Sequence, residues 1–265
     1  MHVASPLLLC RTSTLPCGGA FSIVPWRWMF LNPTERVMNM TFSDKLNMIL
    51  IQGGSWKTIL GGLWVTLQIS ALSLLFGTLL GALICLLRTR KNSVVRGTAS
   101  VYIAVLRGTP VLMLLLLLYY GVLARVKIAP VMVAVITFSL NVSAHVAELL
   151  RSALEAADHG QAEAARTLGF SAWDTFRLVM LPQVLRIAKP VYQSTIVNLI
   201  QWTSVVGYVT ITDLTRVINN TASRTMQPLL TILIGMMIYL ALSYIVYGLF
   251  ALSDRLRRKK RGEAA

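Results

Sequence analysis

The stretch GQAEAARTLG, residues 160–169, lies at the centre of the one long amphipathic and charged segment in an otherwise apolar chain. Alanine, glutamate, glutamine, arginine and leucine are good helix formers, so the composition predicts a helix over residues 152–168. Gly169 follows at a position where a chain commonly leaves a helix with a positive φ angle. The stretch therefore predicts a helix with a glycine stop.

A second helix is predicted immediately after this stop. Residues 172–180 continue the helical composition, and Ser171 is well placed to cap the first turn. Pro182 is expected to end or redirect this helix, because proline lacks the N–H that a helix interior uses. Residues 151–190 thus predict a polar helical elbow between apolar segments, which belongs at a membrane surface where another protein can dock.

The chain as a whole has the composition of an integral membrane protein. Of its 265 residues, 55% are hydrophobic and 13% are charged, and the mean hydropathy is +0.66. Soluble domains carry about a quarter charged residues. Five apolar segments are long enough to predict membrane-spanning helices, at about residues 56–87, 98–123, 130–150, 191–211 and 229–252.

The net charge of +15 is distributed as in a membrane protein and not as in a nucleic-acid-binding protein. Basic residues concentrate in the connections between apolar segments, notably residues 88–92, and in the C-terminal tail, residues 253–265. Positive loops mark the cytoplasmic side, and a basic tail beside the membrane attracts anionic lipid. The pattern predicts an external N-terminus, a cytoplasmic C-terminus and no nucleic-acid partner.

Gly77 and Gly81, four residues apart in the first apolar segment, match the small-xxx-small spacing. Small residues at this spacing let two membrane helices approach closely. The same spacing also arises by chance in a helix that contains glycine, and the sequence leaves both interpretations open.

A specific motif lies within the elbow: Glu163, Ala164 and Ala165 are followed by Gly169 and then by Leu181 and Pro182. This order and spacing resemble the EAA signature of the permease subunits of binding-protein-dependent ABC importers. The resemblance extends over about residues 53–252 and implies an all-α integral membrane protein, like a type I importer permease, with about five transmembrane helices. In that family the elbow is the cytoplasmic coupling helix that lies in a groove of an ATPase subunit, and the six motif residues form the ATPase-coupling site.

A second motif, Arg107-Gly108-Thr109-Pro110, lies inside the second apolar segment and resembles the polar amino-acid branch of these permeases. Pro110 removes a helix hydrogen bond, and Gly108 loosens the turn. The charge of Arg107 is too costly to face lipid. Arg107 is therefore expected to pair with another group, to snorkel to the cytoplasmic surface, or to line a polar cavity.

The third apolar segment carries ionisable residues in its second half. Glu148 and Arg151 are three residues apart and can pair on one helix face. This pairing predicts either an ion pair that anchors the helix end or a gating role for Glu148. His145 is either a polar packing residue or part of the substrate pathway.

The fourth apolar segment has a polar centre, with Asn198, Gln201, Thr203 and Ser204. Polar side chains at this depth face a cavity or a partner helix, so they predict either a translocation pathway or hydrogen bonds at a dimer interface. The family usually carries a charge where this chain has Gln201-Trp202, which leaves the solute class open. The predicted substrate-pathway residues are Arg107, His145, Glu148, Asn198, Gln201, Thr203 and Ser204.

Residues 1–52 are predicted to be an N-terminal extension outside the resemblance, and a translation start at Met29, Met38 or Met40 is favoured. Within this extension, residues 42–52 predict a short amphipathic helix at the membrane interface. Polar residues 212–228 predict an external loop, the kind of surface with which the family meets its binding protein.

The sequence shows no catalytic or metal-binding motif. It has no Gly-x-x-x-x-Gly-Lys-Ser/Thr phosphate loop and no His-Glu-x-x-His motif, so the chain itself is not expected to be an enzyme or to bind a cofactor. Cys10, Cys17 and Cys85 have neither the spacing of a zinc site nor that of a disulfide framework. Transport therefore requires a separate motor.

The resemblance implies what that motor and the other partners are. They are a second permease subunit, identical or related, two cytoplasmic ATPase subunits that hold ATP and Mg²⁺, and an external solute-binding protein. The implied location is the inner membrane of a bacterium, and the implied solute is a polar amino acid or a close analogue.

Other functions remain open from the residues alone. An importer of another solute, such as an opine, a peptide or a thioether, fits the same chain. An ion-coupled secondary transporter would need internal symmetry and ligands for the coupling ion, and no repeat is visible. A membrane-embedded enzyme would need a convergent catalytic set, which is not evident either.

Overall fold

The computed structural model describes residues 41–51 and 54–262, and the predicted downstream translation start lies outside them. The regular secondary structure of these residues is entirely helical, with no strand, which confirms the predicted all-α class. The helices are α1 (Phe42–Leu50), α2 (Ser55–Arg88), α3 (Ser93–Gly108), α4 (Val111–Leu116) with a π-helical turn (Leu117–Val122), α5 (Pro130–Glu155), α6 (His159–Thr167), α7 (Ala172–Asp174) with a π-helical turn (Thr175–Met180), α8 (Leu181–Trp202) with a 3₁₀ turn (Thr203–Val209), α9 (Leu214–Thr225) and α10 (Pro228–Gly262).

The central helix is α5, and it packs closely against α2. A Cβ atom added to Gly77 would lie 2.7 Å from Cβ of Val142, and one added to Gly81 would lie 2.7 Å from Cβ of Val146. The two glycines therefore allow direct contact between the helices, which confirms the close-packing interpretation of their spacing. Because the residue numbers in contact rise together, α2 and α5 run in the same direction.

The chain between these two helices returns through a sharp bend. Helices α3 and α4 meet at an angle of 106° around Pro110, so the span predicted over residues 98–123 is broken where Gly108 and Pro110 were expected to weaken the helix. Pro110 has no N–H to donate to the Leu106 carbonyl, and Nδ2 of Asn141 on α5 donates to that carbonyl at 3.1 Å instead. The bend is thus stabilised by a hydrogen bond from the central helix.

Fewer helices than predicted meet the length and composition of a membrane span. In the described part of the chain, α2, α5 and the Pro228–Leu256 part of α10 meet them, and the bent pair α3–α4 makes a fourth. The fourth predicted span, residues 191–211, instead belongs to α8 and the 3₁₀ turn after it. Helix α8 begins at Leu181 and carries Arg186 and Lys189, so it is less apolar than the other spans.

The elbow contains one more helix break than predicted. The helix expected over residues 152–168 is divided into α5 and α6, because Asp158 caps α6 and its Oδ1 accepts a hydrogen bond from the Gly160 N–H at 2.9 Å. Gly169 has φ +87°, which confirms the predicted glycine stop. Ser171 caps α7 as predicted, accepting a hydrogen bond from the Asp174 N–H.

Pro182 does not end or redirect a helix, so that prediction is wrong. The chain stays helical from α7 through the π-helical turn into α8, and Pro182 lies in the first turn of α8. The Leu181 N–H donates to the Phe176 carbonyl, one residue further back than in an α-helix. This shifted pattern carries the helix past a residue that has no N–H.

At the end of the helices opposite the elbow, α1 and α9 pack on the start of α2. Ile49 of α1 is fully buried, and Leu50 lies against an apolar cluster formed by α2 and α9. Asp213 caps α9 by accepting hydrogen bonds from the Thr215 and Arg216 N–H groups. Burial raises the pKa of the Asp213 carboxyl, and these hydrogen bonds oppose the rise.

The helix predicted over residues 42–52 is observed as α1. Gln52 lies outside the described residues, and the position of α1 at a membrane interface stays a prediction.

Candidate functional site

The elbow presents an apolar and charged surface to its surroundings. Leu168, Phe170 and Trp173 have 79%, 41% and 66% of their surface exposed, although all three are large and apolar. Glu163 and Ala164 are also exposed on α6, whereas Ala165 is buried. Exposed apolar residues surrounded by polar ones are typical of a protein-docking surface.

The elbow is attached firmly to two long helices. Met180 and Ala157 belong to one buried apolar cluster with Ala153 of α5 and with Val184 of α8. At the same junction, Gln183 accepts a hydrogen bond from the Asp158 N–H at 3.1 Å and donates one to Gln161 at 3.0 Å. A displacement of the elbow must therefore move the adjoining ends of α5 and α8.

The six residues of the predicted coupling motif occupy different places in this elbow. Glu163, Ala164 and Ala165 lie on α6, and Gly169 makes the left-handed turn after it. Leu181 and Pro182 open α8, at the point where the elbow joins the long helix. Contact of these residues with an ATPase stays a prediction.

Glu148 lies in an ion-pair network at the elbow end of α2 and α5. One carboxylate oxygen binds the Arg88 guanidinium, and the other lies 2.6 Å from Nη2 of Arg151. Arg151 also binds Glu155, the last residue of α5. The predicted pair of Glu148 with Arg151 is confirmed, and a gating role for Glu148 stays a prediction.

The sequence analysis missed Glu155 in this network and also Arg88. Arg88 lies in the last turn of α2, and no local pattern relates it to a residue 60 positions further along the chain. The only feature of the sequence that could have indicated this ion pair is the position of Arg88 at the end of an apolar segment.

Replacing Glu148 by glutamine is expected to lower the free energy of unfolding by about 1–3 kcal/mol, because two half-buried guanidinium groups lose their shared carboxylate. The decrease is measured as a lower thermal midpoint of the purified protein in detergent. The control is Glu155→Gln, since the Glu155 side chain is 65% exposed and should contribute less than about 0.5 kcal/mol. Equal effects of the two substitutions would contradict this account of the network.

Arg107 lies in the last turn of α3 with its side chain exposed. Since α3 begins at Ser93, Arg107 is about 21 Å along the helix from the elbow end. Snorkelling of the Arg107 side chain to the membrane surface stays a prediction. The residue before Arg107, Leu106, accepts the hydrogen bond from Asn141, which lies one helical turn before His145 on α5.

His145 connects α5 to α8. Its ring centroid is 5.1 Å from that of Trp202, and Nδ1 lies 3.0 Å from the Asn141 carbonyl oxygen. The aromatic contact and the backbone contact are those expected of the polar packing residue that the sequence analysis considered. A place for His145 in the substrate pathway stays a prediction.

The polar residues of α8 and the following 3₁₀ turn divide into two groups. Asn198 and Gln201 are exposed, and with Ser194 they form a polar stripe at helical spacing along one face of α8. Thr203 is buried, and its Oγ1 donates to the Ile200 carbonyl at 2.6 Å, whereas Ser204 is half-buried. Thr203 is therefore not available to a solute or to a second chain, whereas Asn198 and Gln201 are.

A cavity of about 410 Å³ opens beside Gln201, between α8, α9 and α10. This volume lies in the range of small-molecule sites. Polar groups reach it from each helix, and the Thr215 and Tyr239 hydroxyls are hydrogen-bonded to one another at 2.8 Å. The residues that the sequence analysis did not select are Thr215, Asn219, Tyr239 and Ser243, together with Met236 and Met237.

A second cavity, of about 540 Å³, lies nearer the elbow between α2, α5, α8 and α10. It is lined mainly by apolar side chains. Tyr192 reaches the Thr78 hydroxyl across it at 2.8 Å, and Lys189 binds Asp254. Within residues 41–51 and 54–262, no group of histidine, cysteine, aspartate or glutamate side chains is placed to hold a metal ion.

These features define a helical membrane protein with an exposed elbow at one end and two cavities between its long helices. The chain belongs to the family described as binding-protein-dependent transport system inner membrane component, which matches residues 73–259. The family match includes the whole elbow and both motifs that carried the resemblance.

Curated relatives cover most of the chain. The L-cystine transport system permease protein TcyB of Bacillus subtilis is 33% identical over 207 residues, which is 78% of this chain and 87% of the relative. The histidine/lysine/arginine/ornithine transport system permease protein HisM of Salmonella typhimurium is 30% identical over 226 residues, 78% of this chain and 96% of the relative.

Solved structures share the fold. A crystal structure of an amino acid ABC transporter with histidines has a TM-score of 0.73 and 29% identity, and the match covers 82% of this chain and 99% of the other. The MetNI methionine ABC transporter in an inward-facing conformation has a TM-score of 0.65 at 22% identity, which supports the fold alone.

Proposed function

We propose that this chain is the transmembrane permease subunit of an ATP-driven importer for a polar amino acid or a close analogue. An external binding protein delivers the solute, and two cytoplasmic ATPase subunits supply the energy from ATP and Mg²⁺. A second permease subunit, identical or related, completes the pathway in a bacterial inner membrane. The elbow faces the cytoplasm, so the N-terminus is external and the C-terminus is cytoplasmic, in accord with the basic tail.

The observation that carries this proposal is the elbow itself. Its exposed Leu168, Phe170 and Trp173 provide an apolar contact surface next to the Glu163 charge. An ATPase subunit that binds there contacts the elbow, which is attached to the ends of α5 and α8 by the apolar cluster around Met180. The arrangement suits a lever that passes the motion of a soluble motor to membrane helices.

The transport cycle follows from this connection. ATP binding draws the two ATPase subunits together and, with them, the two elbows. The attached helices α5 and α8 then change their tilt, and the stripe of Asn198 and Gln201 opens to the outside. ATP and the loaded binding protein stabilise this outward state by binding it more tightly than the inward one. Hydrolysis of ATP releases the elbows, and the solute leaves inward.

The names of the relatives support an amino-acid-like solute. TcyB is named for cystine, HisM for basic amino acids, and the nopaline permease NocM of Agrobacterium fabrum, 30% identical over 211 residues, for an opine. These solutes share an amino-acid core and differ in side chain. An opine therefore remains the second candidate within the same class.

The test is to purify the tagged chain from detergent-solubilised native membranes and identify the captured proteins by mass spectrometry. We expect an ABC ATPase to co-purify and the assembled complex to take up an amino acid with its binding protein. If the chain is recovered alone under conditions that keep a control importer intact, the importer function is wrong. An ion-coupled uptake assay in proteoliposomes then tests the secondary-transporter alternative.

A further inference from the structure

The cavity beside Gln201 has a chemistry that selects among amino-acid side chains. Its polar groups are the amides of Gln201 and Asn219 and the hydroxyls of α9 and α10, and none of its lining residues is charged. Met236 and Met237 add thioethers, and both are more than half exposed. Such a lining offers hydrogen bonds and polarisable contacts but no counter-charge.

Each carboxylate in residues 54–262 either binds another group of the protein or lies away from the cavity beside Gln201. Glu148 binds two arginines, and Asp254 binds Lys189. Asp213 borders the cavity residue Thr215, but its side chain is fully buried, and its oxygens accept the hydrogen bonds that cap α9. The others, which lie at the end of α5 or on the elbow, are Glu155, Asp158, Glu163 and Asp174.

A positive charge, that of Arg107, lies on α3, beyond the contact that Trp202 makes with α5. Trp202, the residue after Gln201, contacts His145. Arg107 follows Leu106, whose carbonyl is bound by Asn141 one helical turn before that histidine. Arg107 is exposed at the bend between α3 and α4, inside the predicted membrane region. The pathway therefore repels a second cation and favours the carboxylate end of an amino acid.

From these observations we propose that the pathway passes amino acids with an uncharged side chain and excludes those with a cationic side chain, and that Gln201 is the specificity-determining residue. A buried ammonium or guanidinium group without a carboxylate partner is strongly disfavoured. The proposal rests on the proposed function of the chain. It separates this permease from HisM, which is named for histidine, lysine, arginine and ornithine.

The experiment measures amino-acid binding to the purified complex of permease and ATPase subunits. The external binding protein is left out, so that the measured affinities are those of the membrane subunits. Radiolabelled L-arginine, L-glutamine and L-methionine are compared by equilibrium dialysis. We expect arginine to bind at least about tenfold more weakly than the better neutral amino acid. If binding is too weak to measure, the exchange of each labelled amino acid across the membrane of proteoliposomes is measured instead. We expect the same ratio of arginine to the neutral amino acids.

Two variants test the role of the cavity. Gln201→Glu places a carboxylate in it and is expected to raise arginine binding about tenfold relative to the neutral amino acids. Asn219→Asp introduces the same charge from α9 and should shift the ratio in the same direction, which keeps the test valid if one variant fails to fold. The control is Gln193→Glu, because Gln193 lies on α8 but lines neither described cavity.

The outcomes distinguish the inference from the proposed function. If the wild-type complex binds or exchanges arginine as well as the neutral amino acids, the inference is wrong while the importer function stands. The assignment to Gln201 is wrong if the control changes the ratio as much as Gln201→Glu. If no amino acid is bound, exchanged or taken up and no ATPase co-purifies, the proposed function itself fails.

Discussion

Replacing Glu163 by lysine is expected to abolish ATP-driven uptake and to release the ATPase from the purified chain, while the membrane helices stay folded. Glu163 is exposed on α6, beside the apolar surface that we propose as the docking site. If the ATPase docks there as proposed, a lysine replaces a carboxylate within the contact, and a mismatch of charge at an interface costs several kcal/mol. Co-purified ATPase should therefore fall at least about tenfold.

The matched control for this result is Asp44→Lys, which makes the same change of charge on α1 at the opposite end of the protein. Asp44 is also exposed, so the variant tests whether a reversed surface charge by itself disturbs the chain. It should keep its ATPase and its uptake. Full ATPase recovery in the Glu163 variant, with uptake unchanged, would show that the elbow does not couple through this residue.

The double substitution Gly77→Ala and Gly81→Ala is expected to prevent the chain from reaching a stable fold. At both positions the new Cβ would lie 2.7 Å from the Cβ of a valine on α5, and at Gly81 it would also lie 2.8 Å from the Ser143 carbonyl oxygen. These are backbone and Cβ atoms, which cannot rotate away, so the helices must separate. Overpacking costs about 1–3 kcal/mol at each site.

The measurement is the size-exclusion profile and the thermal midpoint of the variant in detergent. Gly61→Ala, on the same helix α2, is the control, because a Cβ added there has no atom within 4 Å. This control should be neutral or stabilising by up to about 1 kcal/mol, since alanine favours helix over glycine. If the double variant melts at the same temperature as the control, the close contact between α2 and α5 does not contribute to the fold.

The two prolines show why some features were predictable from the sequence and others were not. Pro110 and Pro182 carry the same local signal, a missing N–H in a helical segment. At Pro110 the chain bends by 106°, and a side chain 35 residues away stabilises the free carbonyl. At Pro182 a π-helical turn just before the proline accommodates the missing N–H, and the helix continues. Distant partners and neighbouring turns, not the proline, decide between these outcomes.

In the candidate pathway, too, the contacts of single residues could not be predicted from the sequence. Gln201 and Trp202 are adjacent, yet Gln201 lines a cavity with α9 and α10 while Trp202 contacts His145 on α5. A polar residue at membrane depth was recognisable from composition alone. Which neighbour it meets depends on how α8 packs, and that packing involves residues far apart in the sequence.

By itself, the sequence determined that this protein is an all-α membrane protein with a helical elbow, because hydropathy, helix propensity and the glycine stop act over a few residues. The motif within the elbow then carried the resemblance to importer permeases. Only the tertiary structure decided that Arg88 joins Glu148, that Asn141 supports the bend at Pro110, and that Gln201 faces an uncharged cavity. These are long-range contacts. They depend on the order and tilt of packed helices, and no local pattern of residues encodes that arrangement.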